Sequence, residues 1–390
     1  MTAPVPFHYF IANSGHPVSS GSPVLHQDLP VTRQPGYGSS SSEPSMAYGE
    51  YFKAIADFLS KDRFGPLKKA MEKSSGSFRE SQGMDEIRIY LMKHGEFYHP
   101  AKVEVFCGGQ CFKFVVNVAI SRSGVGQIRG EFDNLKTLSG FYPDSFIPAV
   151  FEQNETEAEQ GAPIPMFLGE WFEGFFEFHY SFRSGNEAPA LMIWDDHRGN
   201  YFLDSSGALD IFVQASALLT AYYDFFSSCH IASWHHAAGD FVVKANPEGI
   251  AVKLITVRQY VPLVKMTGPG LSELLDALML FFLNLTIRMR LDRLDGVNDL
   301  FWIGEPALQG AVKGFFSGLK YQVDHQRIPL EVVSGFKTYL GSFKPGDLTG
   351  WCEDMVETLF RGRPELDLIR GHLKTHVEAL HQCMAGELRF

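Results

Sequence analysis

A chain of 390 residues, 45% hydrophobic and 14% aromatic, holds enough apolar material for a large core, and its length suits two domains or one bilobal unit. The composition excludes a chain disordered throughout, and a formal charge of −11 has the wrong sign for sequence-independent binding to nucleic acid or to an anionic membrane. No stretch supplies the roughly 20 apolar residues of a membrane span.

Residues 1–45 combine prolines at 4, 6, 17, 23, 30 and 35 with the run Ser39-Ser40-Ser41-Ser42, and read as a flexible arm with little to bury. Its start, Thr2 to Phe10, is apolar enough to dock on the body or on a partner. Residues 46–84 form a leading helical segment: Tyr51, Ile55, Phe58 and Leu59 recur at helical spacing, with a break at Gly65-Pro66. Three β-patterned stretches follow, Glu86 to Met92, Ala101 to Phe106 and Phe112 to Ile120. Turns at His94-Gly95 and Gly108-Gly109 make them successive antiparallel strands.

Cys107-Gly-Gly-Gln-Cys111 can be taken as a thiol pair or half a metal site. No second Cys/His pair accompanies it, however, and central glycines suit a hairpin turn. With Cys229, Cys352 and Cys383 the cysteines are an odd, scattered set, and no basic leader with a long apolar run opens the chain; both lead us to expect a cytoplasmic protein.

Gly126 to Leu138 is an amphipathic helix carrying Glu131, for which an exposed helix surface is the plain alternative to a functional role. Two further strands, Ile147 to Phe151 and Pro165 to Phe172, flank an acidic loop with Glu152, Glu155, Glu157 and Glu159. Beyond them the pattern turns helical, over Ile211 to Phe226, Leu271 to Leu294 and a tail from Asp354 to Leu388. The apolar run Leu278 to Leu285, interrupted by Asn284 and followed by Arg288, Arg290 and Arg293, is a buried helix with a charged end.

The distinctive stretch lies between those helices. Trp234-His235-His236-Ala237-Ala238-Gly239-Asp240-Phe241-Val242-Val243 is followed after a polar gap by Val252-Lys253-Leu254-Ile255-Thr256-Val257-Arg258. This pair of loops, with the preceding order strand, strand, strand, helix, strand, strand, resembles the protein-kinase-like fold in its aminoglycoside and choline phosphotransferase branch, over roughly residues 85 to 320. The resemblance implies an α+β, bilobal architecture with a small antiparallel β-rich N-lobe and hinge over 85–178 and a larger helical C-lobe over 179–390.

In that family a strand lysine holds phosphates, a helix glutamate orients it, a loop aspartate takes the hydroxyl proton, and Asn plus Asp hold Mg²⁺. Here Asn117 stands at the lysine position and Glu131 at the glutamate position. Gly95 is the single glycine of the phosphate-cradling turn His94 to Pro100, where Glu96, Phe97 and Tyr98 leave a poor cradle. His235 falls at the acid position and is the catalytic candidate, against the alternative of a structural turn with packed imidazoles; His236 matches a loop-fixing histidine. Asp240 falls at the Mg²⁺-binding Asn and is both catalytic and metal candidate. Thr256 replaces the second metal carboxylate with a neutral hydroxyl. In the hinge, backbone groups from Glu170 through Trp171 to Phe172 can meet an adenine-like edge, unless the aromatics simply pack.

With charge missing at Asn117, His235 and Thr256 together, the chain reads as a pseudokinase-like binding or regulatory protein whose partner is a small molecule or another protein. The alternative is a divergent phosphotransferase using Mg and ATP on a hydroxyl acceptor. A weaker alternative is a metal-dependent hydrolase built on His179, His197, His230, His235 and His236 with Asp195, Asp196 or Asp240, although no HExxH spacing is present.

Overall fold

The computed structural model describes residues 4–11, 14–30, 46–74, 83–95, 97–142, 146–158, 161–183, 185, 188–236, 239–247, 249–268, 270–296 and 298–387. The chain divides into two compact units, Met1–Phe141 with Pro148–Glu173, and Tyr142–Ile147 with Gly174–Phe390. The class is α+β: a sheet-based first unit, then a largely helical second.

In the first unit the strands are β1 (Phe7–Ile11), β2 (Met84–Leu91), β3 (His99–Cys107), β4 (Gln110–Val118), β5 (Val150–Glu157) and β6 (Pro163–Glu170), with helices α1 (Tyr48–Ser74) and α2 (Arg122–Leu138). They build a sheet in the order β1-β2-β3-β4-β6-β5, antiparallel except where β1 runs parallel to β2. Alternation sets the two faces. Ile164, Met166 and Leu168 of β6 join Tyr51, Phe52, Ile55 and Phe58 of α1 in one apolar core. Phe167, between them in sequence, meets Phe132 of α2 at 5.9 Å on the other side.

Three features of this unit depart from the sequence expectation. Phe7–Ile11, within the expected arm, is an edge strand, anchored by stacking of Tyr9 on Phe52 and Phe10 on Tyr90. Ser39 to Ser42 lie outside the described residues. Glu152, Glu155 and Glu157 are part of β5 rather than a loop, because on an edge strand their side chains reach water while the backbone still pairs with β6. Glu131 is not surface-exposed: it is 1% accessible, in a buried stripe of α2 with Ile128, Leu135 and Leu138.

The break in α1 comes just before Gly65-Pro66. Asp62, Arg63 and Phe64 take left-handed φ of 51°, 57° and 66°, because a proline ring clashes with the carbonyl four residues back and forbids continuation. Gly108 and Gly109, at φ of 56° and 81°, make the hairpin between β3 and β4, and neither flanking cysteine is in a disulfide among the described residues.

The second unit begins with a small sheet of β7 (Phe178–Phe182), β8 (Pro189–Ile193) and β9 (Tyr201–Phe202), then α3 (Ser205–Ala221), whose first turn is capped by Asp204 accepting from the Gly207 amide at 2.8 Å. Next come β10 (Cys229–Ala232), β11 (Phe241–Asn246), β12 (Gly249–Leu254), β13 (Gln259–Pro262), α4 (Leu271–Arg288), β14 (Leu291–Arg293), β15 (Leu300–Trp302), α5 (Glu305–Asp324), α6 (Leu330–Gly341), α7 (Pro345–Leu359) and α8 (Leu366–Glu387).

α3 and α5 pack closely along Gly310, Gly314 and Gly318. A Cβ at Gly314 would lie 2.3 Å from the Val213 carbonyl oxygen, so side chains there would force the helices apart. α4 is buried from Leu274 to Ile287 on nearly every side, and among the described residues no helix is long and apolar enough to cross a membrane.

Candidate functional site

Two nested strand pairs in the second unit bring the distinctive loops together. β10 pairs antiparallel with β13 (Ala232 opposite Gln259), and inside it β11 pairs with β12 (Phe241 opposite Leu254). Residues 233–236 with 239–240 therefore lie beside 255–258, tied by the Ile255 amide donating to the Asp240 carbonyl at 2.8 Å.

Asp240 is the hub of this junction. Its carboxylate, 2% exposed, accepts from the His235 backbone N–H (2.9 Å) and from both terminal nitrogens of Arg258, Nη1 to Oδ2 at 2.9 Å and Nη2 to Oδ1 at 2.6 Å. Arg258 Nη1 also donates to the Ser233 carbonyl at 3.2 Å, so one guanidinium staples the outer loop at two points. A fork-to-fork pair of this kind is among the strongest polar contacts a protein makes. Nearby, Arg288 donates to the Trp234 carbonyl and lies over the Trp234 ring at 4.8 Å; burial, then Arg363, pushes its pKa down to about 10.

The two histidines of the loop occupy different surroundings. His236 is 3% exposed, between Phe178 and Phe212 at ring distances of 6.4 and 6.0 Å, and its Nδ1 is 3.6 Å from Asp292 Oδ1. Asp292 is 1% exposed and accepts from the Arg293 amide at 2.7 Å and the Tyr180 amide at 3.3 Å. Burial alone would raise its pKa, but the imidazoles of His236, His179 and His235 outweigh that and hold it below the usual carboxylate value. His235 keeps some solvent surface, yet the packing around its ring and the neighbouring His236 push its pKa down to about 3. An imidazole so reluctant to take a proton is a poor general base near neutral pH.

Glycines let the cluster close. Gly239 has φ of 69°, and a Cβ there would meet the Glu177 carboxylate at 2.7 Å; a Cβ at Gly296, φ 76°, would strike the His179 ring at 2.8 Å. Ala237 and Ala238 lie outside the described residues.

A magnesium ion does not fit these donors. Mg²⁺ requires near-octahedral oxygen ligands and usually carboxylates. Both oxygens of Asp240 are engaged by a cation and an amide, and Thr256, 8% exposed, brings no charge. Among the described residues no three His, Cys, Asp or Glu side chains converge in a metal-holding arrangement.

The nucleotide-binding candidates sit in the first unit. Gly95 donates its amide to the Tyr98 carbonyl at 3.2 Å, so the turn closes on itself; Glu96 is outside the described residues. Asn117, opposite Phe167 in the sheet, lies on the face that carries α2, and Glu131 is buried in that helix. The Glu170 amide donates to the Ala149 carbonyl at 2.8 Å, and its carboxylate accepts from the Ala149 amide at 3.1 Å, so its backbone donor is used within the sheet. Trp171 donates Nε1 to Glu173 at 3.1 Å and has Lys102 over its ring at 5.6 Å.

The fold thus assembles His235, Asp240 and Thr256 in one unit and Gly95, Asn117, Glu131, Glu170 and Trp171 in the other. Sequence reasoning assigned no role to Arg258 or Asp292. Each had a visible signal, Arg258 as the charge that ends the largely apolar run Leu254 to Val257 and Asp292 amid the charges that end an apolar helix. No protein-family model matches this chain, and no curated protein matches it.

Proposed function

We propose that this chain is a pseudokinase-like binding or regulatory protein of the protein-kinase-like fold, related in design to the aminoglycoside and choline phosphotransferases but without their phosphotransfer chemistry. The observation that carries the reading is the Asp240–Arg258 pair: the residue at the metal position is consumed by an internal cation. Support comes from the neutral residues Asn117 and Thr256 at two charged positions, from the low basicity of His235, and from Gly95 and Glu170 amides committed to their own unit. The antiparallel run β2-β3-β4, helix α2 and the pair β5 and β6 is the element order that the resemblance implies for the smaller lobe. Partners are then recognised by surface and shape, as a small molecule or another protein.

Calorimetric titration of the whole protein with ATP, with and without Mg²⁺, beside Asp240→Asn tests this. The reading expects no Mg²⁺-dependent binding in either protein. Micromolar Mg·ATP binding lost in the variant would overturn it and favour the divergent phosphotransferase.

A further inference from the structure

We propose that Arg258 is a resident cation: its guanidinium occupies the place beside Asp240 that a divalent ion would fill, so the two loops close without metal, and removing it turns Asp240 into a divalent-cation site. The inference rests on the reading of Asp240 as the residue at the metal position of a kinase-like fold.

Three observations carry it. A carboxylate 2% exposed has to be neutralised where it sits, and Arg258 does so through two bonds of 2.9 and 2.6 Å. The same guanidinium reaches the Ser233 carbonyl, so it gathers two oxygen groups of the first loop onto one cation of the second, as an ion would. Charge changes are matched along the second loop: the position expected to hold a carboxylate is Thr256, and two residues on stands the arginine.

Arg258→Ala would delete the cation and leave a cavity beside an uncompensated carboxylate. The Glu177 carboxylate lies against Gly239, the residue before Asp240. An ion with its retained waters suits the vacated volume. Arg288 stays bound to Trp234 and does not take over both oxygens, since its guanidinium is fixed on that residue's carbonyl and ring.

The test uses full-length wild type, Arg258→Ala and Arg258→Ala/Asp240→Asn without nucleotide, reading thermal unfolding and Mn²⁺ binding by electron paramagnetic resonance. In millimolar MnCl₂ the single variant should bind one Mn²⁺ and recover roughly 5 °C of melting temperature. The wild type and the double variant should do neither. A single variant that gains no more than the double variant overturns the proposal, as does Mn²⁺ binding by the wild type that Asp240→Asn abolishes. Should Arg258→Ala not fold, Arg258→Gln carries the same comparison. A failed rescue leaves the pseudokinase reading standing, whereas Mg·ATP binding by the wild type removes that reading itself.

Discussion

Acidification should destabilise this chain steeply, because it buries imidazoles where a charge cannot be solvated. His376 on α8 is fully buried, with Nε2 3.3 Å from the Thr286 hydroxyl and Nδ1 3.5 Å from Arg290; burial, then Arg290, pushes its pKa down to about 3. His230 on β10 is 6% exposed with Nδ1 3.0 Å from the Val261 carbonyl, and burial pushes it down to about 4. Both belong to the second unit. In the unfolded chain each takes up a proton near 6.5, while the folded form takes none until much lower pH. Stability is therefore complete above about 6.5, falls as pH drops through that value, and stops falling near the folded pKa. At about pH 5 each histidine costs about 2 kcal/mol, a large part of the 5–15 kcal/mol that holds a typical domain together. Asp292 stays out of this window, since a lowered carboxylate pKa costs stability only at still lower pH. Urea unfolding followed by tryptophan fluorescence from about pH 7.5 to about pH 5, on wild type and His376→Gln, checks the sum. The variant keeps hydrogen-bonding groups but cannot titrate, and should lose about 2 kcal/mol less than wild type across the range. Equal losses in the two proteins, or a flat profile in the wild type, would refute the reasoning.

Gly314→Ala should destabilise by about 1–3 kcal/mol in spite of alanine's better helix propensity, because its Cβ would sit 2.3 Å from the Val213 oxygen; Gly335→Ala on α6, with open space around it, should stabilise by about 0.5–1 kcal/mol in the same urea assay. Asp292→Ala should cost roughly 3 kcal/mol, because the backbone donors of Tyr180 and Arg293 and the flanking imidazoles lose a buried anion; a melting temperature within a degree or so of wild type would deny Asp292 that role. Gly296→Ala combines a left-handed φ of 76° with a Cβ 2.8 Å from the His179 ring, and should lower stability by about 2 kcal/mol or more, measured by chemical denaturation.

Periodicity made most of the first unit legible. β2, β3, β4 and α2 follow their alternation or helical spacing within a few residues, since each buries one face and exposes the other. β1 was obscured by its surroundings: five residues of strand within a proline- and serine-rich stretch do not shift local composition, and a parallel partner 80 residues away leaves no turn signal. The second unit was read as helices, but α4 stops at Arg288 and the chain runs on into β14, too short a strand for alternation to register. Gly310, Gly314 and Gly318 had a signal, a four-residue repeat inside a helix, whose meaning depends on α3 lying against it. At the site, the two loops were legible as a motif, while the bond between them was not. Arg258 pairs with a residue 18 positions earlier, and nothing local to either residue says that β10 and β13 will bring them together.

On the kinase-like reading proposed above, that bond also accounts for Thr256 and Arg258 as a set rather than as separate losses. A site that holds Mg²⁺ needs anionic oxygens in excess, because the ion supplies two positive charges. With a threonine where that reading expects a second carboxylate, Asp240 alone would bind the ion weakly while being too buried to stay unpaired. A guanidinium with one charge and two parallel donors matches a single carboxylate in both charge and shape. Thr256 without Arg258 would strand Asp240, and Arg258 beside a second carboxylate would leave a negative charge over. Only together do they give a neutral, closed junction. The consequence is specific: Thr256→Asp alone should not create a metal site, because Arg258 still holds Asp240. Thr256→Asp with Arg258→Ala should bind Mn²⁺ more tightly than Arg258→Ala alone, by about tenfold for one added buried carboxylate ligand, if that ligand contributes about 1.4 kcal/mol. Equal Mn²⁺ affinity in the two variants would mean that Thr256 does not face the same oxygens as Asp240, and the charge-matching argument would fail there.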